Sequence, residues 1–309
     1  MWSGFYLAAV EQTQEKSKIS LLSTKRNKIM QVLVVDYTAK DAAEQFVKSL
    51  HETGFAVLVN HPIKQSLVES IYKNWQEFFL SEEKHAFAFD PEKQDGYFSS
   101  EISETAKGHS KKDIKEYFHV YPWGRIPAQL NDEILEYYRL ASQLAAELLD
   151  WVEEYSPADI ADKYSEALSN MIKDTPNTLL RILHYPPLTG DEEAGAVRAA
   201  SHEDINLLTI LPAANEPGLQ VQRQNGEWID VPSDFGNLII NIGDMLQETS
   251  DGYFPSTSHR VINPTGKGSD KSRISLPLFL HPRSEVVLSE KHTQASYLLE
   301  RLRELGVKV

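Results

Sequence analysis

The chain has 309 residues, 41% of them hydrophobic and 10% aromatic, which is enough to bury a large core in one domain or two. A formal net charge of −14 and a pI near 5.2 argue against the basic face that phosphate backbones require, so no nucleic-acid partner is expected. Cysteine is absent, which removes disulfides, thiolate metal ligands and a cysteine nucleophile together; any metal site must use His, Asp or Glu.

No apolar window approaches the ~18 residues of a membrane span, so a cytoplasmic protein with no membrane partner is expected. Met1–Val10 is apolar, and the stretch that follows it to Lys28 is polar and mostly basic. A signal peptide carries its positive charge before the apolar run, so residues 1–29 read as an extension outside the core. An α-rich region over 30–173 comes next. Gln31–Val35 and Phe55–Val59 read as strands, the latter a short apolar run. Between them Ala42–Thr53 has helical apolar spacing and stops at Gly54. Leu67–Leu80, Asp132–Tyr155 and Ala158–Lys173 read as amphipathic helices, and Phe87–Trp123 as aromatic and irregular.

The pattern changes at Asp174-Thr175-Pro176. From Leu179 to Leu280 short β-like runs alternate with turn residues: Leu179–His184, Asn206–Leu211, Leu219–Gln222, Asn237–Ile242, His259–Ile262 and Arg273–Leu280. Tyr297–Leu305 closes the chain as a short helix. The expected fold is mainly β with α, residues 174–309 forming a β sandwich or barrel.

Within that core, His202 and Asp204 are two residues apart where a strand is expected, so both face one side and Glu203 faces the other. With 10 His and 17 Asp, chance alone supplies roughly half a His-x-Asp per chain, so the pair is weak by itself. A third ligand must come from another strand, and His259 is the best candidate. Two imidazoles and a carboxylate on one face leave open positions, the arrangement of non-haem iron(II) oxygenases. Arg273 follows His259 by 14 residues and shares a face with Ser275. A guanidinium fork and a hydroxyl suit a carboxylate, such as the far end of a diacid co-substrate bound to the metal. His184 is a candidate to reach co-substrate or substrate, and Asn206 to touch co-substrate or orient a ligand. Tyr117, Phe254 and Phe279 are candidate pocket walls. Asn241 and Asp244, flanking Gly243, read as turn residues, and His281 as structural or surface. A zinc hydrolase and a non-catalytic small-molecule binder remain alternatives at this point.

The pattern His202-x-Asp204, His259, Arg273-x-Ser275 resembles the isopenicillin N synthase-like branch of the iron(II)/2-oxoglutarate-dependent oxygenases. Asn241–Gln247 is similar to that family's NxGDxLQ segment, Ser256–Val261 to its S-x-x-HRV, Phe55–Ile63 to its N-terminal NHG segment with Pro62 in place of Gly, and Asp113–Phe118 to its D-x-K-E-x-F. Arg181–Pro186 is similar to its RLNYYP, with Leu183 in place of Asn and His184 in place of the first Tyr. The resemblance runs from about Met30 to Pro282. It implies a double-stranded β-helix (jelly-roll) core, Fe(II) on His202, Asp204 and His259, and 2-oxoglutarate held by Arg273 and Ser275. It further implies O2 as oxidant and a small-molecule substrate that is hydroxylated or desaturated. A same-fold oxidase that uses no 2-oxoglutarate is the nearest alternative, kept open by Leu183.

Overall fold

The computed structural model describes residues 31–100, 113–192, 196–264 and 271–304. The expected extension over 1–29 lies outside them. Residues Val32–Val309 form one compact unit.

The chain opens with β1 (Val34–Asp36), α1 (Ala42–Thr53), β2 (Phe55–Val59) and α2 (Gln65–Leu80). Helix α1 buries Phe46, Val47 and Leu50 and ends at Gly54, whose φ of 73° is the left-handed conformation a glycine C-cap supplies. A Cβ there would stand 2.4 Å from Thr257 Oγ1 and 2.6 Å from the Pro255 carbonyl, so Gly54 also lets the segment leading to His259 approach closely.

β3 (Gly96–Phe98) and β4 (Glu116–Val120) follow, within a stretch expected to be irregular. Their aromatic residues pack a pleated surface well, and β4 gains its pairing from β5, which lies far along the sequence. The long helix α3 (Asn131–Glu154) matches expectation. The single helix expected over 158–173 is instead two short turns, α4 (Ala158–Ala161) and α5 (Leu168–Met171). Glu153 Oε2 accepts the Leu168 N–H at 2.8 Å, capping a fresh start.

The remaining strands are β5 (Leu179–Tyr185), β6 (Ala199–His202), β7 (Leu208–Pro212), β8 (Leu219–Gln222), β9 (Trp228–Asp230), β10 (Leu238–Ile242), β11 (His259–Val261), β12 (Arg273–Ser275) and β13 (Leu278–Phe279), with α6 (Asp244–Thr249) and α7 (Gln294–Glu304) between and after them. Pro277, which has no N–H for a ladder, falls in the break between β12 and β13.

The strands form two sheets. A nine-stranded sheet runs β1-β2-β10-β7-β13-β5-β4-β3, with β12 also pairing β5; a four-stranded sheet runs β6-β11-β8-β9. Register sorts the large sheet's side chains into two faces. Phe55 and Val57, Ile239, Leu183 and Tyr185, and Tyr117 join Ala199, Leu219, Val221 and Val261 of the small sheet in one apolar cluster. Their alternates Ala56 and Leu58, Ile240, Ile182 and Phe118 pack with Phe46, Trp75, Phe79, Leu144 and Leu148 of the helices in the main core. The chain is therefore a sheet-rich core with helices against one face and the second sheet at the other.

On the helix face a buried polar cluster joins three strands. His184 Nδ1 meets Glu116 Oε1 at 2.7 Å, while Lys84 Nζ at 3.1 Å and the Tyr97 hydroxyl donate to Glu116 Oε2. Burial works against charge on Glu116, yet the hydrogen bonds from His184, Tyr97 and Lys84 hold its carboxyl below the usual range.

Candidate metal centre

His202 is the last residue of β6, and Asp204 lies in the loop beyond it, so the pair does not sit within one strand as expected. Its convergence comes from the turn of that loop together with cross-strand pairing, since His259 stands directly opposite His202 on β11. The two imidazole rings are 4.4 Å apart between centroids. His202 Nε2 lies 3.8 Å and His259 Nε2 3.7 Å from Asp204 Oδ1. Among the described residues, these three form the one group whose ligand atoms all lie within 4.8 Å of one another.

Each donor's other atom is occupied by protein. His202 Nδ1 lies 2.8 Å from the Ala200 carbonyl and His259 Nδ1 3.2 Å from that of Thr257; a carbonyl only accepts, so each Nδ1 carries a proton, and Nε2 is the nitrogen whose lone pair a neutral ring would offer a metal. Asp204 Oδ2 accepts the Thr209 hydroxyl at 2.5 Å and Asn241 Nδ2 at 2.8 Å, which leaves Oδ1 free. Burial and the neighbouring His259 ring push the His202 pKa down to about 4, although 37% of its side chain is exposed; neutral imidazole is the ligating form. Burial opposes charge on Asp204, but the His259 and His202 rings and the Thr209 and Asn241 hydrogen bonds outweigh it and keep the carboxyl below its usual value. Two neutral nitrogens and one carboxylate oxygen, aimed at one point, fit Fe(II).

Asn241 and Thr209, neighbours on β10 and β7, hold the Asp204 carboxylate, which sequence reasoning misses; the sequence reads Asn241 as a turn residue. Asn206 stands one step further out: its amide donates to the Leu208 carbonyl at 2.8 Å and to Thr209 Oγ1 at 3.0 Å, positioning the hydroxyl that holds Asp204. Gly243 follows from the same packing, because a Cβ would stand 2.2 Å from the Asn206 carbonyl. Replacing Asn241 with leucine is expected to weaken iron binding roughly 10- to 100-fold while leaving the fold intact. Titration of Fe(II) into the apo-protein checks this, and an unchanged affinity would remove the orienting role.

Arg273 and Ser275 pair with Tyr185 and Leu183 of β5, and those two belong to the cluster beside the metal site. Arg273 is 3% exposed, its guanidinium lies 5.2 Å over the Tyr185 ring, Nε donates to the Glu216 carbonyl at 3.1 Å, and Nη1 is buried without a partner. An orphaned, desolvated N–H on this face fits an incoming carboxylate. Tyr185 thus stands beside the guanidinium, a role the sequence reading had not given it.

His184 is not brought to this site. Strand alternation turns it to the helix face, where it meets Glu116 and stacks on Phe79 at 5.2 Å. Phe254 is 0% exposed within the main core, edge-on to Tyr253 and His51, rather than in the cluster at the metal site. Tyr117 and Phe279 flank the Arg181 guanidinium, 4.6 and 5.6 Å from their ring centres, and Phe279 pairs with Thr209. His281, taken as structural or surface, lies within the electrostatic reach of Asp204 and Arg181, and burial pushes its pKa down to about 4. The D-x-K segment also has a physical reason: Asp113 Oδ1 accepts the Ala200 N–H at 2.9 Å and Oδ2 pairs with Lys115 Nζ at 2.7 Å, tying β4 to the strand that carries His202. Glu203 turns away to the Ser258 hydroxyl rather than standing free beside the three ligands, where a hydrolase would need its general base.

A two-histidine, one-carboxylate centre in a sheet-rich fold defines the class as a mononuclear non-haem metalloenzyme. Comparison with known proteins narrows it. The family model of the 2OG-Fe(II) oxygenase superfamily matches residues 176–282, and that of the non-haem dioxygenase in morphine synthesis N-terminal region matches residues 30–143. Jasmonate-induced oxygenase 4 of Arabidopsis thaliana is 30% identical over 272 residues, covering 81% of this chain and 71% of that protein. Gibberellin 2-beta-dioxygenase 3 of the same plant is 26% identical over 277 residues, covering 87% and 79%. The crystal structure of a putative oxygenase from Shewanella oneidensis superposes with a TM-score of 0.82 at 64% identity, covering 90% of this chain and all (100%) of that one. The chain belongs to the 2OG-Fe(II) oxygenase superfamily, and it is a 2-oxoglutarate-dependent dioxygenase with Fe(II), 2-oxoglutarate and O2 as its reactive set.

Proposed function

We propose that His202, Asp204 and His259 hold the iron, that Arg273 and Ser275 with Tyr185 hold the distal carboxylate of 2-oxoglutarate, and that a small organic substrate is hydroxylated or desaturated against the wall formed by Tyr117, Arg181 and Phe279. The observation that carries this reading is the convergence of three free ligand atoms, 3.7 and 3.8 Å from nitrogen to oxygen, at the small sheet, whose strands share an apolar cluster with Tyr185, the ring beneath a buried guanidinium with an orphaned N–H. The jelly-roll expected from the sequence belongs to the same reading, supported by two sheets that share one apolar cluster. The cytoplasmic placement expected from the sequence remains part of it; among the described residues no helix is long and apolar enough to cross a membrane.

Iron(II) with 2-oxoglutarate and O2 supplies the oxidising chemistry, the co-substrate leaving as succinate and CO2. The protein's part is positioning. Backbone carbonyls fix both imidazole tautomers, Thr209 and Asn241 aim the carboxylate, and Arg273 orients the co-substrate by its far end. Tyr117, Phe279 and Arg181 form a wall with both apolar and cationic character for the substrate. The relative named a gibberellin 2-beta-dioxygenase takes, by its name, a small organic molecule, which supports that class here.

Anaerobic protein with Fe(II) and 2-oxoglutarate is expected to develop a weak visible charge-transfer band, and aerobic turnover of a substrate panel to release succinate. Iron bound without that band, or O2 uptake without succinate, would sink the co-substrate assignment.

A further inference from the structure

Arg198 lies immediately before β6, and no sequence pattern marked it. Its side chain is 0% exposed, one of the largest fully buried groups in the protein. Nη2 donates to the Lys271 carbonyl at 2.8 Å, while Nε and Nη1 have no partner. Two residues past Lys271 stands Arg273, whose Nη1 is orphaned in the same way. Among the described residues neither guanidinium has a carboxylate at ion-pair distance; the Glu216 carboxylate is already engaged by Lys271 Nζ at 3.0 Å, and Arg273 takes only the Glu216 backbone carbonyl.

Two buried guanidiniums within electrostatic reach of each other and without an anion are costly, because each is desolvated and repels the other. Consistent with this, burial and then the charge on Arg273 lower the Arg198 pKa. Three unpaired N–H-bearing nitrogens are what a carboxylate, with four lone-pair sites on two oxygens, can satisfy. The placement along the strand is also suitable. Arg198 precedes β6 and His202 ends it four residues on; a bulge in β6 interrupts the regular rise, so the two stand closer than the roughly 13 Å of a fully extended run. An elongated diacid that chelates the metal at one end would present its other end between them.

We propose that Arg198 and Arg273 form a two-guanidinium seat for the distal carboxylate of 2-oxoglutarate, and that Arg198 sets selectivity for a co-substrate bearing that carboxylate. The inference rests on the co-substrate role proposed for Arg273. In this seat Arg198 neutralises and orients the far end of the co-substrate, while Arg273, tethered to Glu216, closes it from the β12 side.

The test compares 2-oxoglutarate with 2-oxovalerate, which has the same chelating end and chain length but a methyl group in place of the distal carboxylate. Dissociation constants are measured by calorimetry on anaerobic, Fe(II)-loaded wild type, Arg198→Met and Arg198→Lys. Arg198→Met should weaken 2-oxoglutarate roughly 10- to 100-fold, the loss of a charge-assisted hydrogen-bonded contact, and change 2-oxovalerate by less than about twofold. Arg198→Lys should recover part of the loss. The Tm of apo Arg198→Met should equal or exceed that of the wild type, because a buried, unpaired cation has been removed. Equal weakening of both ligands with a lowered Tm would assign Arg198 to packing alone, and an unchanged affinity for 2-oxoglutarate would remove it from the seat; either overturns the inference. A wild type that fails to prefer 2-oxoglutarate over 2-oxovalerate would overturn the assignment of Arg273 and, with it, this one.

Discussion

Asp204→Asn is expected to be as inactive as Asp204→Ala, each losing at least about 10³-fold in kcat/KM, or some 4 kcal/mol of transition-state stabilisation. The isosteric change is the more telling of the two. Oδ2 of Asp204 accepts from both Thr209 and Asn241, so an asparagine must turn its one carbonyl oxygen toward those donors. Its NH2, which has no lone pair to give, then points at the metal position between His202 and His259. The charge that offsets the cation is lost at the same time. Iron content measured alongside turnover checks the argument: both variants should purify with little iron and keep a native circular dichroism spectrum. Stoichiometric iron and wild-type turnover in Asp204→Asn would show that the metal lies elsewhere.

Arg273→Met is expected to raise the KM for 2-oxoglutarate by two to three orders of magnitude without lowering Fe(II) affinity. Truncating one partner of a desolvated, hydrogen-bonded charge pair costs about 2–5 kcal/mol, roughly 30- to several-thousand-fold in affinity. Arg273 is 3% exposed and packs over Tyr185, so water cannot substitute for it well. The effect should exceed that of Arg198→Met, because Arg273 shares its strand and face with the Ser275 hydroxyl. Succinate release against 2-oxoglutarate concentration, at fixed Fe(II), measures it. An unchanged KM would leave the guanidinium with a packing role and detach it from the co-substrate.

The His202, Asp204 and His259 group and the Arg273–Ser275 pair are legible as candidates because their residue types are restricted by chemistry and the spacing within each motif is short. The geometry that brings them together is not. His202 and Asp204 were placed on one strand, whereas a loop delivers the carboxylate, a distinction that two-residue spacing cannot make. The sequence makes His184 a candidate for co-substrate or substrate, but its face depends on the pairing of β5 with β4 and β12, which only the fold sets. Asn241 and Thr209 act on Asp204 from strands 37 and 5 residues away in sequence, and no local pattern couples an amide, a hydroxyl and a distant carboxylate. The helices α1, α2 and α3 were read nearly to their ends from apolar spacing and, for α1, from Gly54, while β3 and β4 were hidden in a stretch whose pairing partners are remote.

Because neighbouring residues along β4 and β5 face opposite ways, the two strands carry separable tasks written in alternate letters. Tyr117, Arg181, Leu183 and Tyr185 lie on the face turned toward the small sheet, the side proposed for substrate, while Phe118, Ile182 and His184 anchor the helical layer. Efforts to broaden what this oxygenase accepts can therefore begin at Arg181, whereas Tyr117 is fully buried in the cluster that joins the two sheets and tolerates less. Deleting one residue from the middle of β5 would do the reverse: it would swing the Glu116-bound imidazole of His184 into the chamber and turn Tyr185 away from Arg273, exchanging scaffold for chemistry in one step.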